Sequence, residues 1–406
     1  MTKKVVIIGS ALSGNKGAAA MLESSIQTIS ERLEDVEFTL LSMYQISDAA
    51  LNEYPRLRVV DAKPLVLGLI INPAALLYKT LPFTHSFWKN RIPAVRALAE
   101  ADILLDQGGI TFVDGREKFL IYNVASILPA LFMGTPVFKC AQALGPFNNP
   151  INRMAAKIFL PRVERIMSRG AITHEHLMGL GLKNVTAGAD YAFSLGIASE
   201  EKKLAKKNVN MRFFKGGTVV GVSPSVVLQK KAETAGKDYA RTMVTFIDRL
   251  TARGDKVLLL PHSVRSNSTK THNNDMPLCK DIYEKLKDRK NILFIDKELS
   301  SQTLRYVIGE CDYFIASRFH AMVSSLAMEV PTIVIGWSHK YEEVLGMFEL
   351  EKWAFGQDNL TDDYLWRMYE QLVAEKDGVK ALLAKNLPKV KKQSVKQADI
   401  IADLIK

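Results

Sequence analysis

Residues 315–335 read IASRFHAMVSSLAMEVPTIVI. The pattern predicts the end of a buried strand, a three-residue turn, a short helix stopped by Pro331, and a second buried strand. Two apolar strands joined through a helix form a parallel βαβ unit, because only a crossover connection returns the chain in the same direction. Arg318 and His320 then lie where the carboxyl end of a strand meets the amino end of a helix, the usual ligand crevice of an open α/β sheet. The turn reads as an anion site carrying a proton donor.

The same alternation extends outward in both directions. On the amino-terminal side of the turn run TVVGVSPS, a helix around YARTMVTFIDRLTARG, DKVLLLPHS, a helix around MPLCKDIYEKLKDR, NILFIDK and the helix SQTLRYVIGE. Earlier in the chain, VVIIGS leads through ALSGNKG into a helix, and EFTLLS, ADILLDQGG, GTPVFKCAQALGPF and ERIMSRG follow. The expected fold class is α/β, with two Rossmann-like domains facing across a cleft, similar to the GT-B glycosyltransferases. Residues 196–217 are lysine-rich with few periodic apolar positions and read as a linker. The expected domains are 1–200, with an apolar insertion at 64–92, and 215–385, while an amphipathic tail at 386–406 packs back on the first domain.

The composition fits a soluble globular protein: 48% hydrophobic and 24% charged over 406 residues, long enough for two cores. A net charge of +11 suits a phosphorylated ligand or an anionic surface. The absence of an arginine-rich run or RNA-binding motif argues against nucleic acid. Cys140, Cys279 and Cys311 are far apart and lack metal-ligand spacing, which fits a reducing compartment and no metal. The first apolar run is too short for a signal sequence and reads as a strand, so the expected location is cytoplasmic.

Residues 65–81, LVLGLIINPAALLYKTL, are apolar but broken by Pro73, and too short to span a bilayer comfortably. Two readings stay open: a packed helical pair, or an interfacial element whose flanking Phe83, Trp88, Lys89 and Arg91 suit anionic lipid. On the second reading the segment lies near the acceptor entrance, docks a lipid-linked intermediate, and brings the protein to the cytoplasmic face of the membrane.

Several strand ends carry chemistry. Gly14, Asn15, Lys16 and Gly17 follow the first strand and open a helix, so backbone N–H groups and the lysine could hold an anion, although a plain tight turn has the same composition. Asp106, with Gly108 and Gly109, forms a glycine turn that permits close backbone approach. Arg169 occupies another strand-end turn, Asp190 follows a short strand, His262 ends LLLPHS, and Lys340 follows the final core strand.

Together these positions resemble the polysaccharide pyruvyl transferase family. The resemblance rests on Gly14 to Ala18, Asp106 to Gly109, Gly145-Pro146-Phe147, Arg169, Asp190 with Ala192-Phe193, Pro261-His262 with Asp275, Ser317 to Ala321, and Lys340. The chain departs from the family pattern at Gly170 and Ala171, where an acidic residue commonly follows the turn arginine, and at Gln107, where many members have glycine. The resemblance implies transfer of a pyruvyl group from phosphoenolpyruvate, a co-substrate with no further cofactor, to two hydroxyls of a sugar in a cell-surface polysaccharide or its lipid-linked precursor. It gives a cyclic ketal and phosphate.

On that reading Arg169 and Arg318 form a guanidinium clamp on the donor, with Phe319 in the same turn. His320 is the acid, its pKa lowered by the helix end and raised by bound phosphate. Asp106 or His262 is the base, and Lys16 and Lys340 steady the departing phosphate. A nucleotide-sugar glycosyltransferase and a non-catalytic membrane-surface scaffold are the alternatives.

Overall fold

Most strand residues of this protein are buried and apolar because helices cover both faces of each sheet, with exceptions such as Glu37 and Arg58 that reach solvent. The computed structural model describes residues 1–265, 273–336 and 339–406. Trp337 and Ser338, which precede Lys340 in the sequence, lie outside them. The chain divides into two compact units. The first holds Met1–Ser13, Met21–Ser194 and Lys391–Lys406, and the second holds Gly14–Ala20 and Leu195–Val390.

The first unit contains β1 (Lys3–Ile8), β2 (Val36–Ser42), β3 (Leu57–Asp61), β4 (Ile103–Asp106), β5 (Val137–Gln142), β6 (Arg165–Ser168) and β7 (Val185–Ala187). They form one sheet in the order β3-β2-β1-β4-β5-β6-β7, all parallel. The order reverses direction between β1 and β4, so their carboxyl ends open a crevice. The second unit repeats the plan with β8 (Val219–Ser223), β9 (Lys256–Leu259), β10 (Ile292–Phe294), β11 (Tyr313–Ala316), β12 (Thr332–Ile335) and β13 (Ala354–Phe355). Their order is β10-β9-β8-β11-β12-β13, again all parallel, with the reversal between β8 and β11.

Three expectations change. The lysine-rich stretch 196–217 is not an open linker, since Ser199–Asn208 is a helix that packs on the helix Ser301–Gly309. Its buried Glu201 accepts hydrogen bonds from Ser300 and Thr303, both at 2.5 Å. Polar groups satisfied by one another hold this contact, and hydropathy does not register them. The turn after β11 is two residues long rather than three, because the helix Phe319–Ala327 starts at Phe319 and takes His320 into its first turn. The loop Gly14 to Gly17, assigned above to the first domain, groups with the second unit.

The carboxyl terminus is one helix, Lys376–Ile405, with Pro388 inside it. Its last stretch belongs to the first unit. There Ser394 donates to the carbonyl of Asp190 (2.8 Å), and Gln397 donates to that of Ala189 (3.1 Å) and accepts from the N–H of Ala141 (2.7 Å).

Candidate active site

In the second unit, three segments at the carboxyl end of the sheet converge on one histidine. His262 follows β9 and is buried. Its pKa is held well below the ordinary histidine value, first by burial and then by the positive charges of His320, Arg318, Arg305 and Lys16. Four cationic or protonatable groups act on one imidazole, two of them in ion pairs, Arg318 with Asp275 and Lys16 with Glu298.

Arg318 caps the helix after β11 and sits at the β8–β11 reversal. Its guanidinium grips fully buried Asp275 through Nε (2.9 and 3.1 Å) and Nη2 (2.5 Å). Burial disfavours its charge, but Asp275 outweighs burial and the pKa rises. The carboxylate also accepts from the backbone N–H groups of Val226 and Ser263, both at 3.0 Å. Asp275 therefore ties the ends of β8, β9 and β11 together and fixes the guanidinium plane. Behind it, the buried Tyr239 hydroxyl donates to the Ser317 hydroxyl at 2.8 Å and accepts from the N–H of Ser225 at 3.3 Å.

The glycine loop completes the group. The N–H of Val264 donates to the Gly14 carbonyl at 3.1 Å, and Asn15 bridges to Ser263. Buried Lys16 pairs with Glu298 at 2.6 Å. Gly14 has φ +74, a left-handed conformation that glycine adopts without penalty. Gly17 is required for a different reason: a Cβ there would lie 2.0 Å from Nδ1 of His320. The backbone of the loop and the imidazole are in direct contact. Phe319 stacks edge-on to His320 (centroids 5.0 Å apart) and carries the Lys340 ammonium 5.1 Å from its ring centroid.

Five of the expected site residues lie in the first unit. Asp106 is buried, ion-paired with fully buried Lys139, and accepts from the N–H of Gly108 at 2.9 Å. One oxygen is held by that lysine and the other by the glycine turn, so a role as base would require the carboxylate to exchange one of these partners. Gly108 faces Thr111, whose Cγ2 would be 2.7 Å from an added Cβ, and the Gly109 carbonyl accepts from the N–H of Ala143 at 3.2 Å. Arg169 is likewise buried and pairs with Asp190 at 3.4 Å.

Sequence reading did not place Arg305 or Glu298 in the site, and it named Asp275 with Pro261-His262 in the family resemblance without giving it a role. Arg305 lies in the middle of a helix, where arginine ordinarily faces solvent, yet here it is buried and donates to the Leu195 carbonyl at 3.0 Å.

The family model for polysaccharide pyruvyl transferase matches residues 15–339. The chain belongs to the polysaccharide pyruvyl transferase family. Members of this family are transferases acting on polysaccharide, and the match runs from Asn15 within the glycine loop through the Arg318 turn. The chain is 21% identical over 383 residues to the amylovoran biosynthesis protein AmsJ of Erwinia amylovora, covering 88% of this chain and 89% of that one. Among solved structures it resembles a UDP-N-acetylglucosamine 2-epimerase, with TM-score 0.60, 12% identity, and 99% and 96% of the two chains covered. It also resembles a glycosyltransferase from Rickettsia africae ESF-5, with TM-score 0.57, 10% identity, and 100% and 98% coverage. At these identities the likeness is one of fold, two parallel-sheet α/β domains of the GT-B kind.

The suppressed pKa of His262 gives a stability signature. Above about pH 6.5 the ring is neutral both folded and unfolded. Below that value the unfolded chain binds a proton that the native ring refuses, so native stability falls by about 1.4 kcal/mol per pH unit until the depressed native pKa is reached. Urea unfolding followed between about pH 7 and pH 5 should show this slope, and His262→Gln should flatten it by one proton. An unchanged slope in the variant would show that the ring is protonated in the native protein.

Proposed function

We propose that this protein transfers the pyruvyl group of phosphoenolpyruvate onto two hydroxyls of a sugar, in a cell-surface polysaccharide or its lipid-linked precursor. The observation that carries this reading is that buried His262 and the Arg318–Asp275 pair lie together at the carboxyl end of one sheet, with Ser263 and Arg318 both bonded to the Asp275 carboxylate. A compact donor bearing both a phosphate and a carboxylate fits such a site, and a guanidinium edge already fixed by Asp275 meets either group in a planar, paired fashion.

The chemistry begins with proton transfer to the methylene carbon of the donor, which leaves positive charge on the neighbouring carbon. The first sugar hydroxyl bonds to that carbon and loses its proton to a base. The bond to the phosphate oxygen then breaks, and the second hydroxyl bonds to the same carbon to close the ketal, its proton passing to the departing phosphate. One phosphoenolpyruvate and one diol thus become one ketal and one phosphate.

His320 is the proposed acid, placed at the helix start against the glycine loop. His262 is the proposed base: it is neutral before the donor binds, and a bound anion restores its basicity by offsetting the surrounding positive charge. Lys16 and Lys340 stabilise the departing phosphate. Arg169 and Asp106 are not assigned to the donor in this proposal.

The test is incubation of the purified protein with phosphoenolpyruvate or with nucleotide sugars, together with hexose and N-acetylhexosamine acceptors, free and lipid-linked. The expected result is phosphate release matched to an acceptor mass gain of one pyruvic acid less one water. Glycosyl transfer from a nucleotide sugar without phosphoenolpyruvate would overturn the reading.

A further inference from the structure

We infer that the segment Pro64–Arg91 is a docking face for an anionic membrane surface. It folds as a helical turn Pro64–Val66, a π-helical turn Leu67–Ile71, a helix Asn72–Thr80, a short turn Pro82–Thr84 and a helix His85–Arg91. One side is core: Leu67, Ile71, Ala74 and Ala75 are buried, against the helices Leu120–Ala125 and Leu128–Met133. Asn72 clamps that side by donating to the Leu67 and Ala125 carbonyls at 2.8 and 3.1 Å.

The other side is apolar too, and it faces solvent. Leu65 is 75% exposed, Leu69 74% and Phe83 84%, with Ile70, Leu76 and Phe87 also open. An ordinary surface helix is apolar on one side only, so a helix apolar on both needs a second apolar medium. The neighbouring helix Leu120–Ala125 adds Ile121, also 84% exposed. The far end is firmly built: Tyr78 stacks on His85 at 3.7 Å, and Trp88 donates to Thr84 at 2.9 Å.

Charge selects the occupant. Residues 62–99 contain no Asp or Glu and five cations, Lys63, Lys79, Lys89, Arg91 and Arg96. Lys63 and Lys89 approach Asp61 and Glu100 at the edges, and Arg91 lies over the Phe87 ring at 5.3 Å. A two-fold pairing of identical faces would set these cations against one another, whereas anionic phospholipid offers hydrocarbon for the leucines and phenylalanines and counter-charge for the lysines and arginines. No helix among the described residues is long and apolar enough to cross a membrane, so the segment lies on the surface.

The test is sedimentation of the full chain with phosphatidylglycerol-containing vesicles and with phosphatidylcholine vesicles. Binding to the anionic vesicles should exceed binding to the neutral ones and weaken as salt is added. Leu69→Ser and Phe83→Ser, both at solvent-exposed positions, should each lower it about tenfold with an unchanged urea midpoint. Lys79→Glu with Arg91→Glu should remove the preference for anionic lipid.

Equal sedimentation with and without anionic lipid, or full binding by the serine variants, would overturn the inference. So would a solution dimer that those variants dissociate in a protein that ignores vesicles, because the occupant would then be a second copy.

Discussion

Replacing Arg318 by alanine should weaken donor binding and destabilise the second unit at the same time. The guanidinium is the partner of Asp275, which is fully buried, and removing one member of a buried pair leaves an uncompensated charge at a cost of about 3–5 kcal/mol. The loss should appear as a lower urea midpoint. Phosphoenolpyruvate affinity, measured by calorimetry, should fall at least tenfold to a hundredfold, since a charge-assisted hydrogen bond contributes about 1.5–3 kcal/mol.

The two effects can be separated. Arg318→Gln combined with Asp275→Asn carries no lone buried charge, so it should recover much of the stability while remaining unable to bind the donor. Arg318→Lys should keep charge but lose the paired geometry, and should therefore also bind poorly. A stable double variant that binds phosphoenolpyruvate normally would show that the Arg318–Asp275 pair is a brace and nothing more.

How far these residues could be read from the sequence depends on the range of the force that places them. The βα turn at Arg318 is local: an apolar strand, an arginine, and a helix stopped by proline declare the geometry within twenty-one residues. Most strands are equally plain, since burial on both faces demands unbroken apolar runs. β3 and β13 are not, because β3 carries Arg58 and Asp61 on its outer positions and β13 is only two residues long.

What could not be read is charge pairing at a distance. Asp275 lies 43 positions from Arg318, Glu298 lies 282 from Lys16, and Lys139 lies 33 from Asp106. Nothing in the sequence pairs these residues, and only the fold shows that the carboxylates are already occupied by cations. The glycine loop misled for the same reason. Chain adjacency places it with β1, whereas its hydrogen bonds go to Ser263, Val264 and Glu298.

His320→Gln should lower kcat about 10²- to 10⁴-fold, the usual contribution of a positioned acid, while phosphoenolpyruvate affinity stays within a few fold because Arg318 and Asp275 are untouched. That split distinguishes an acid from a binding residue, since loss of a purely binding contact would raise KM and spare kcat. Gly17 offers a second route to the same atom. A Cβ at position 17 would overlap the His320 ring, so Gly17→Ala must displace it, and a shift of about 1 Å at a reacting group can cost about 10²-fold in rate. The position lies in the first turn of a helix and alanine favours helix over glycine, so the loss should come without any loss of helical stability. If Gly17 acts only through this side chain, the two changes cannot add: in a His320→Gly background, which also removes the His320 Cβ that would lie 2.6 Å from the new one, Gly17→Ala should cost nothing further. Additive losses would mean that the glycine loop touches the donor itself, and His320 would then share the site with the loop's backbone rather than merely lean on it.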